Sequence, residues 1–251
     1  MRPVNTFTSY NMLTKKNVCN EIKSKHSILF KNKILYQCCT QEQSNILSEN
    51  MNCTNYRKGE MIFHEGQPSF LIYFIYSGVI KLWKEGLHNN GLVIRFAKEG
   101  DMIGFWSSHE NMDYTLSASA LTETRLCYIK KDVFLPVVQA NSSLQIILHD
   151  YVKELKKTEV DLRNMAEMNV REKVANSLLV FLNLFKDKLD EAAYRIILSR
   201  KEIAALTAIC EDRISKQLSE FKKEKIIVKK DKRIFIDEKA LQNIITPYAR
   251  V

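Results

Sequence analysis

The sequence lacks the motifs by which most enzymes are recognised. It contains no phosphate loop, no nucleophile elbow and no paired-carboxylate arrangement. The histidines occur singly, as His26, His64, His88, His109 and His149. We therefore expect a protein that is not an enzyme.

Long hydrophobic runs are missing as well. The N-terminal stretch MRPVNTFTSYNMLTKK has no unbroken apolar core of the kind found in a signal peptide. The most apolar stretch, Phe70 to Ile80, is interrupted by Ser77 and Gly78 and is too short to span a bilayer. The sequence therefore predicts a cytoplasmic protein with no membrane partner.

Cysteines are present, but not in a metal-binding pattern. The six are Cys19, Cys38, Cys39, Cys53, Cys127 and Cys210. No Cys-x-x-Cys pair or zinc-type spacing occurs, and the first four are too spread to form an iron–sulfur cluster site. No metal site is predicted, and an iron–sulfur cluster is not expected. Adjacent Cys38 and Cys39 are interpreted as reduced thiols, with redox activity as the alternative.

Basic residues outnumber acidic ones. There are 38 lysines and arginines against 29 aspartates and glutamates, so the formal net charge is +9. A positive balance of this size favours an acidic partner, and nucleic acid before a membrane.

The stretch ILSRKEIAALTAICEDRISKQLSEF, residues 197–221, predicts a helix-turn-helix. Ser199 and Glu202 have the spacing of a capping box at the start of the first helix. A second helix is expected from near Glu211, and the second helix of such a pair can enter the major groove. Its predicted outward residues are Glu211, Asp212, Arg213, Ser215, Lys216 and Gln217. The alternative is an ordinary helical hairpin with a charged face.

A hairpin follows the second helix, with strands at Ile226 to Val228 and Ile234 to Ile236. A hairpin in this position predicts a winged helix. A further strand is predicted before the motif, from Tyr194 to Leu198. Basic residues dominate from Arg213 to Arg233, which suits a polyanion that releases counterions on binding. We therefore predict double-stranded DNA as the partner.

Upstream of the winged helix, the pattern changes twice. Short strands punctuated by glycine follow Tyr56 and predict an antiparallel jelly roll. From Ser142 an apolar heptad seam predicts a long helix that forms a homodimer, the alternative being a helix packed on its own sheet. The seam consists of Leu144, Leu148, Tyr151, Leu155, Thr158, Leu162 and Met165.

This order of elements resembles the cyclic-AMP receptor protein/FNR (CRP/FNR) family of transcription regulators. The resemblance covers about Cys19 to Ile236 and rests on KGEMIFHEGQP, YFIYSGVIKLWK, EGDMIG and SRKEIAALTAICEDRISKQL. It implies an α+β fold with a cyclic-nucleotide-binding-like β-roll, a long dimerisation helix and a C-terminal winged helix-turn-helix. The expected boundaries are a flexible tail at 1–17, a sensor domain at 18–141, the dimerisation helix at 142–168 and the DNA-binding domain at 169–251.

The resemblance also implies which residues contact DNA. Ser199 to Lys201 fall where the family contacts phosphate, whereas Asp212, Ser215 and Lys216 fall where the FNR branch reads bases with Glu-x-x-Ser-Arg. Aspartate shortens the reach and lysine lacks the bidentate fork of arginine, so a different half-site is expected. The full predicted set is Ser199, Arg200, Lys201, Glu211, Asp212, Arg213, Ser215, Lys216, Lys230 and Lys232.

Two turn residues depart from the family pattern. Ala208 stands where the family usually has glycine, and Cys210 where it usually has a capping serine or threonine. Both departures are expected to lower stability without abolishing the motif.

The effector pocket departs further. Phe105 and Trp106 follow Gly104 where cyclic-nucleotide binders of the family have a ribose-binding glutamate, and Tyr114 stands where they have a phosphate-binding arginine. A buried phosphate needs a paired cation or many amide donors, so cyclic AMP is not expected to bind. The effector is unassigned, and haem remains open. The candidate pocket, either filled core or a site for another ligand, is Gly104, Phe105, Trp106, Tyr114 and Thr115.

Together these features predict a cytoplasmic, homodimeric, sequence-specific DNA-binding transcription regulator. Its β-roll sensor lacks the usual phosphate arginine, and RNA polymerase is a further candidate partner. The alternative is a ligand- or redox-sensing signalling module that acts through protein contacts. DNA affinity that depends on salt would separate the two.

Overall fold

A computed structural model of the chain describes residues 33–86, 91–105, 113–186, 189–230 and 233–246. The predicted tail therefore lies outside the described residues. The chain divides into two compact units. The first takes in residues up to Lys84 together with Arg95–Val152, and the second takes in Glu85–Ile94 and Lys153–Val251.

Two four-stranded sheets build the β-roll. Their strand orders are β1-β8-β3-β6 and β2-β7-β4-β5, and β8 pairs antiparallel with both β1 and β3. This double sheet is the predicted jelly roll. The strands are β1 (Asn52–Tyr56), β2 (Met61–Phe63), β3 (Leu71–Ser77), β4 (Val79–Lys84), β5 (Leu92–Lys98), β6 (Met102–Ile103), β7 (Ser117–Ala120) and β8 (Thr124–Lys130).

Helices flank the strands of the first unit. They are α1 (Lys33–Cys38), α2 (Gln41–Glu49) and α3 (Lys131–Gln139), followed by a 3₁₀ turn (Ser142–Gln145) that leads into the long α4 (Ile146–Glu167). The capping box predicted for α2 is confirmed: the Thr40 hydroxyl accepts from the Gln43 amide, and the Gln43 side chain accepts from the Thr40 amide. Asn141, which follows α3, ties this part of the chain to α1 and α2. Its Nδ2 donates to Cys38 O and Gln43 Oε1, both at 2.8 Å.

The turn between β3 and β4 depends on Gly78. Its φ of +96° lies in the left-handed region, and a Cβ there would stand 2.5 Å from Glu123 O. The neighbouring Val79 amide donates to Thr122 Oγ1 at 2.9 Å, so the turn is held against the loop before β8. The backbone therefore approaches more closely than any side chain would allow.

A disulfide that the spacing of the cysteines did not reveal links β1 to β8. Cys53 and Cys127 stand directly opposite each other in the antiparallel register, and their Cα atoms are 4.0 Å apart. Both belong to a core cluster that also contains Phe134 and Leu144. Cys38 and Cys39 are free, half-buried thiols packed against the same cluster.

The second unit contains the C-terminal helices and the wing. Its elements are α5 (Val170–Leu184), α6 (Glu191–Ile197), α7 (Arg200–Thr207), α8 (Glu211–Lys223), β9 (Ile227–Lys230), β10 (Arg233–Ile236) and α9 (Glu238–Ile245). The predicted core residues Val174, Leu178 and Leu182 are buried, as expected. No helix in the described part of the chain is long and apolar enough to cross a membrane.

The predicted strand from Tyr194 to Leu198 is wrong, because this stretch is helix α6. Asp190 Oδ1 accepts from the Ala193 amide at 2.9 Å and caps the helix. Glu191 and Arg195 then pair at the i, i+4 spacing of a helix. The local capping signal outweighs the β-propensity of the isoleucines.

Candidate nucleic-acid interface

Helix α7 begins at the predicted capping residue. The Ser199 hydroxyl accepts from the Glu202 amide at 3.3 Å, which satisfies one of the free amides of the first turn. Arg200 and Lys201 follow in that turn, and both are exposed. Ile203 on the opposite face is fully buried, so the helix has one packed side and one open side.

The turn between α7 and α8 uses a left-handed alanine. Ala208 has φ +56°, and its amide donates to Ala204 O at 2.9 Å to close α7. Cys210 occupies the cap position of α8 without a side-chain hydrogen bond to the helix. Both of the predicted departures from good turn chemistry are therefore present in the geometry.

Ala208→Gly is expected to raise the free energy of unfolding by about 0.5–1 kcal/mol. A left-handed residue with a Cβ is strained by about 1–2 kcal/mol, and glycine removes that strain at the expense of a more disordered unfolded chain. Urea denaturation checks the value. Ala205→Gly, inside α7, should instead lower stability by about 1 kcal/mol; similar losses in both variants would contradict the strain at residue 208.

Helix α8 divides cleanly into two faces. Ile214, Leu218 and Phe221 are buried. The opposite face carries four of the predicted DNA-binding residues, all exposed: Glu211, Asp212, Arg213 and Lys216. Gln217, which the sequence placed outward, is buried at 7 % exposure because it lies one turn from Ile214 on the packed face.

Arg200 and Ser215 connect the two helices of the motif. Arg200 Nη1 donates to Ser215 Oγ at 3.2 Å, and that hydroxyl donates to Glu211 O at 2.8 Å. The structure therefore brings a predicted phosphate-contacting residue and a predicted base-reading residue together. Ser215 helps to position Arg200 in addition to facing outward itself.

The end of α8 is fixed to α5. Arg171 makes a bidentate ion pair with Glu224, with distances of 2.8 and 2.6 Å, and its guanidinium lies 4.9 Å from the centroid of the Phe221 ring. The hydrogen bonds to Glu224 raise the pKa of Arg171, and those to Arg171 lower the pKa of Glu224. Helix α8 is thus bonded to α7 through Ser215 and to α5 at its end.

Exposed lysines continue from the last turn of α8 into the first strand of the wing. Lys222, Lys223, Lys225 and Lys229 are exposed. In the hairpin, Val228 pairs with Phe235 one position before Lys229, and Phe235 is 53 % exposed. The side chain of the predicted contact Lys230 and all of Lys232 lie outside the described residues.

The seam predicted for dimerisation lies on α4 and the turn before it. Leu144 is buried in the first unit. Leu162 is 45 % exposed, and Met165 is half-buried, where its sulfur accepts from Asn176 Nδ2. Thr158 is also half-buried. The side chains of Leu148, Tyr151 and Leu155 lie outside the described residues.

Two of the predicted effector residues, Phe105 and Tyr114, are buried in the β-roll core, and Gly104 packs closely beside them. Gly104 has φ +82°, and a Cβ there would stand 2.8 Å from Leu71 O. Phe105 packs edge-on against Phe134. Tyr114 stacks on Phe63 with ring centroids 3.9 Å apart, and its hydroxyl donates to Leu71 O.

Two predicted pocket residues remain. Thr115 is exposed, and Trp106 lies outside the described residues. Phe105 and Tyr114 are therefore packed core, which was one of the two interpretations of the sequence. No group of three or more potential metal ligands occurs among the residues that the structure describes.

The sequence pattern did not indicate the burial of Lys131, the first residue of α3. It is only 8 % exposed, its ammonium donates to Ser69 Oγ, and it lies 5.8 Å from the centroid of the Tyr114 ring. Burial lowers the pKa of Lys131 to about 8. A cation thus lies beside Tyr114, the residue expected at the position of the family's phosphate arginine. In the sequence, only the place of Lys131 directly after strand β8 could have indicated this.

Comparison with known proteins agrees with the architecture. The family model of the cyclic nucleotide-binding domain matches residues 53–141. The chain is 24 % identical over 178 residues to the CRP-like cAMP-activated global transcriptional regulator of Mycobacterium tuberculosis, covering 70 % of this chain and 79 % of that protein. It is also 24 % identical to the fumarate and nitrate reduction regulatory protein of Yersinia pestis, covering 72 % of this chain and 73 % of that one.

A solved structure shows the same fold. FixK2 from Bradyrhizobium japonicum superposes with a TM-score of 0.64 at 20 % identity, covering 77 % of this chain and 96 % of that one. At this identity the likeness establishes the fold alone.

Proposed function

We propose that the chain is a homodimeric transcription regulator of the CRP/FNR family that binds double-stranded DNA. The match to the cyclic nucleotide-binding domain, the relatives and the fold support this proposal. A regulator that binds DNA works in the compartment that contains the DNA, and this supports a cytoplasmic location. It is not proposed to be an enzyme. RNA polymerase is a further proposed partner.

One observation carries the proposal: α8 has a fully packed face and an opposite face of exposed charged residues. Asp212, Arg213 and Lys216 share that exposed face, and Arg200 from α7 is hydrogen-bonded to Ser215 at its edge. A helix in the major groove reads base edges with residues of this kind, while neighbouring cations hold the phosphates. The exposed lysines at the end of α8 and in the wing, Lys222, Lys223, Lys225 and Lys229, extend the phosphate contacts proposed for Ser199 to Lys201.

The homodimer is proposed on the seam of α4. Leu162 is an exposed apolar residue on this helix, and Thr158 and Met165 are only half-buried within one protomer. A second copy of α4 would cover them and would place two α8 helices about one turn of DNA apart. The predicted target is therefore a two-fold site.

The sensor is proposed not to bind cyclic AMP in the manner of the family. Tyr114, at the arginine position, is buried with its hydroxyl bonded to Leu71 O and its ring stacked on Phe63. The lysine beside it, Lys131, donates to Ser69 and lacks the bidentate fork that holds a cyclic phosphate.

Selection of bound duplexes from a random DNA pool, with the purified protein and no added ligand, tests the proposal. Enrichment of a palindrome whose affinity falls steeply with salt is the expected result. A protein that enriches no sequence at any salt concentration, although it is folded and dimeric, would favour the signalling module that acts through protein contacts.

Lys216→Ala is expected to reduce discrimination between the selected site and random DNA by about 1 kcal/mol, because its side chain is placed to reach base edges. Lys230→Ala is expected to lower affinity for both DNAs alike and to reduce the salt slope by about 1. Competition gel shifts at two salt concentrations measure both effects. Equal loss of discrimination in the two variants would exclude α8 as the reading helix.

A further inference from the structure

The Cys53–Cys127 bond would be unusual as a permanent cross-link in the cytoplasmic location proposed above. The two cysteines are 74 residues apart in sequence, yet β1 and β8 place them directly opposite each other. Cys127 is fully buried, whereas Cys53 is 9 % exposed on β1, the edge strand of its sheet. Disulfides are rare in compartments kept reducing by thiols, and those that occur there are usually transient.

We propose that Cys53–Cys127 is a reversible disulfide and that its reduction switches the sensor unit between two packed states. The inference deepens the proposed function, on which it rests for the reducing compartment and for the DNA readout. It assigns the β-roll a covalent redox site whose reaction partner is a dithiol.

The packing around the bond provides a route for the switch. Phe134 of α3 and Leu144 of the 3₁₀ turn belong to the same buried cluster as the two cysteines. Two free thiol sulfurs cannot stay at bonding distance, so reduction forces them apart within a close-packed core. Such cores respond by moving between discrete arrangements.

The displaced core lies directly before the proposed dimerisation helix. Leu144 is in the turn that leads into α4, and Asn141, three residues earlier, is hydrogen-bonded to Cys38 O. Any shift of Phe134 or Leu144 is therefore passed to the first turn of α4. That turn is where the sensor unit can alter how two copies pair.

The chemistry balances as a two-electron exchange. A thiolate of the dithiol attacks the Cys53 sulfur, the less buried of the two; the S–S bond breaks and Cys127 leaves and takes up a proton. The second thiol of the reductant then attacks the mixed disulfide and releases Cys53, which also gains a proton. The protein ends with two thiols, and the reductant ends as a cyclic disulfide.

The neighbouring thiol of Cys39 does not compete in this exchange. Burial, and then the proximity of Cys38, raise the pKa of Cys39 to about 11, so this thiol stays protonated at neutral pH. A protonated thiol is a poor nucleophile. The bond is thus protected from exchange with Cys39 although that residue packs on the same cluster.

The test uses the full-length protein in buffers of reduced and oxidised dithiothreitol. Alkylation and mass spectrometry should show two more modified cysteines after reduction, mapped to Cys53 and Cys127. Affinity for the selected DNA should differ on the order of fivefold or more between the two states. Hydrogen exchange over residues 142–167 should differ as well.

Variants separate the bond from general thiol effects. Cys38→Ser with Cys39→Ser should keep both differences, whereas Cys53→Ala with Cys127→Ala should abolish them. The inference is overturned if oxidised protein shows six alkylatable thiols, or if the bond forms without changing DNA affinity or exchange in α4. A protein that binds no DNA in either state refutes the proposed function, and hydrogen exchange in α4 then decides the switch alone.

Discussion

Gly78→Ala is expected to lower the free energy of unfolding by about 3 kcal/mol, the largest effect among the substitutions considered. The residue has φ +96°, where a Cβ adds about 1–2 kcal/mol of strain. The new methyl would also stand 2.5 Å from Glu123 O and 2.7 Å from Thr124 Cα. Both of these are backbone atoms, so the β3–β4 turn must move away from the backbone at the start of β8.

Gly59→Ala is the matched control for this effect. Gly59 has a similar φ of +84°, but nothing lies within 4 Å of the Cβ that alanine would add. Only the left-handed strain remains, partly offset by a less disordered unfolded chain, and the expected loss is about 1 kcal/mol. Urea denaturation followed by circular dichroism measures both variants; a Gly78→Ala loss no larger than that of Gly59→Ala would mean that the close approach is absent.

Lys131→Met is expected to stabilise the protein by about 2 kcal/mol at pH 7. Burial lowers the pKa of Lys131 from its ordinary value of 10.5 to about 8, which means that the folded state disfavours the charged form. A change of the pKa by one corresponds to about 1.4 kcal/mol, so the lowering from 10.5 to about 8 corresponds to a penalty of about 3 kcal/mol. The variant also loses the hydrogen bond to Ser69, and this reduces the gain.

The pH dependence of that gain has a defined sign. Below pH 8 the lysine is protonated in both the folded and the unfolded chain, and the whole penalty is present. Between pH 8 and 10.5 the unfolded chain holds more protons than the folded one, so the wild type gains stability as the pH rises. The advantage of Lys131→Met should therefore shrink from pH 7 to pH 10.

Lys130→Met provides the control, since this neighbouring lysine is exposed at the end of β8. It should change stability by less than about 0.5 kcal/mol at either pH. Urea denaturation at pH 7 and pH 10 gives all the values needed. A destabilised Lys131→Met protein at pH 7 would show that the Ser69 hydroxyl and the Tyr114 ring compensate the buried ammonium better than its lowered pKa indicates.

Local sequence patterns predicted the features that depend on local interactions. The caps at Thr40 and Ser199 follow from short-range spacing, because a capping side chain reaches only two or three residues along the chain. The buried face of α8 follows from helical periodicity alone. The order of jelly roll, long helix and winged helix was accessible for the same reason, since each element carries its own period.

Features that depend on long-range register were not accessible. Cys53 meets Cys127 only because β1 pairs with β8 in one particular register. Lys131 is buried because the end of β8 carries it inward, against the general preference of lysine for the surface. Gln217 is buried because of its place on the helix, one turn from Ile214. Its polarity alone had led to the wrong prediction that it faces outward.

The hydrogen bond from Arg200 to Ser215 bears on the entropy of association. A free arginine side chain loses about 1.5–2 kcal/mol of rotamer freedom when it is fixed. Arg200 has given up part of that freedom during folding, and its partner hydroxyl is itself tied to the backbone of α8 at Glu211. A polyanion that reaches this guanidinium therefore orders a side chain that is already half ordered, and more of the contact energy appears as affinity.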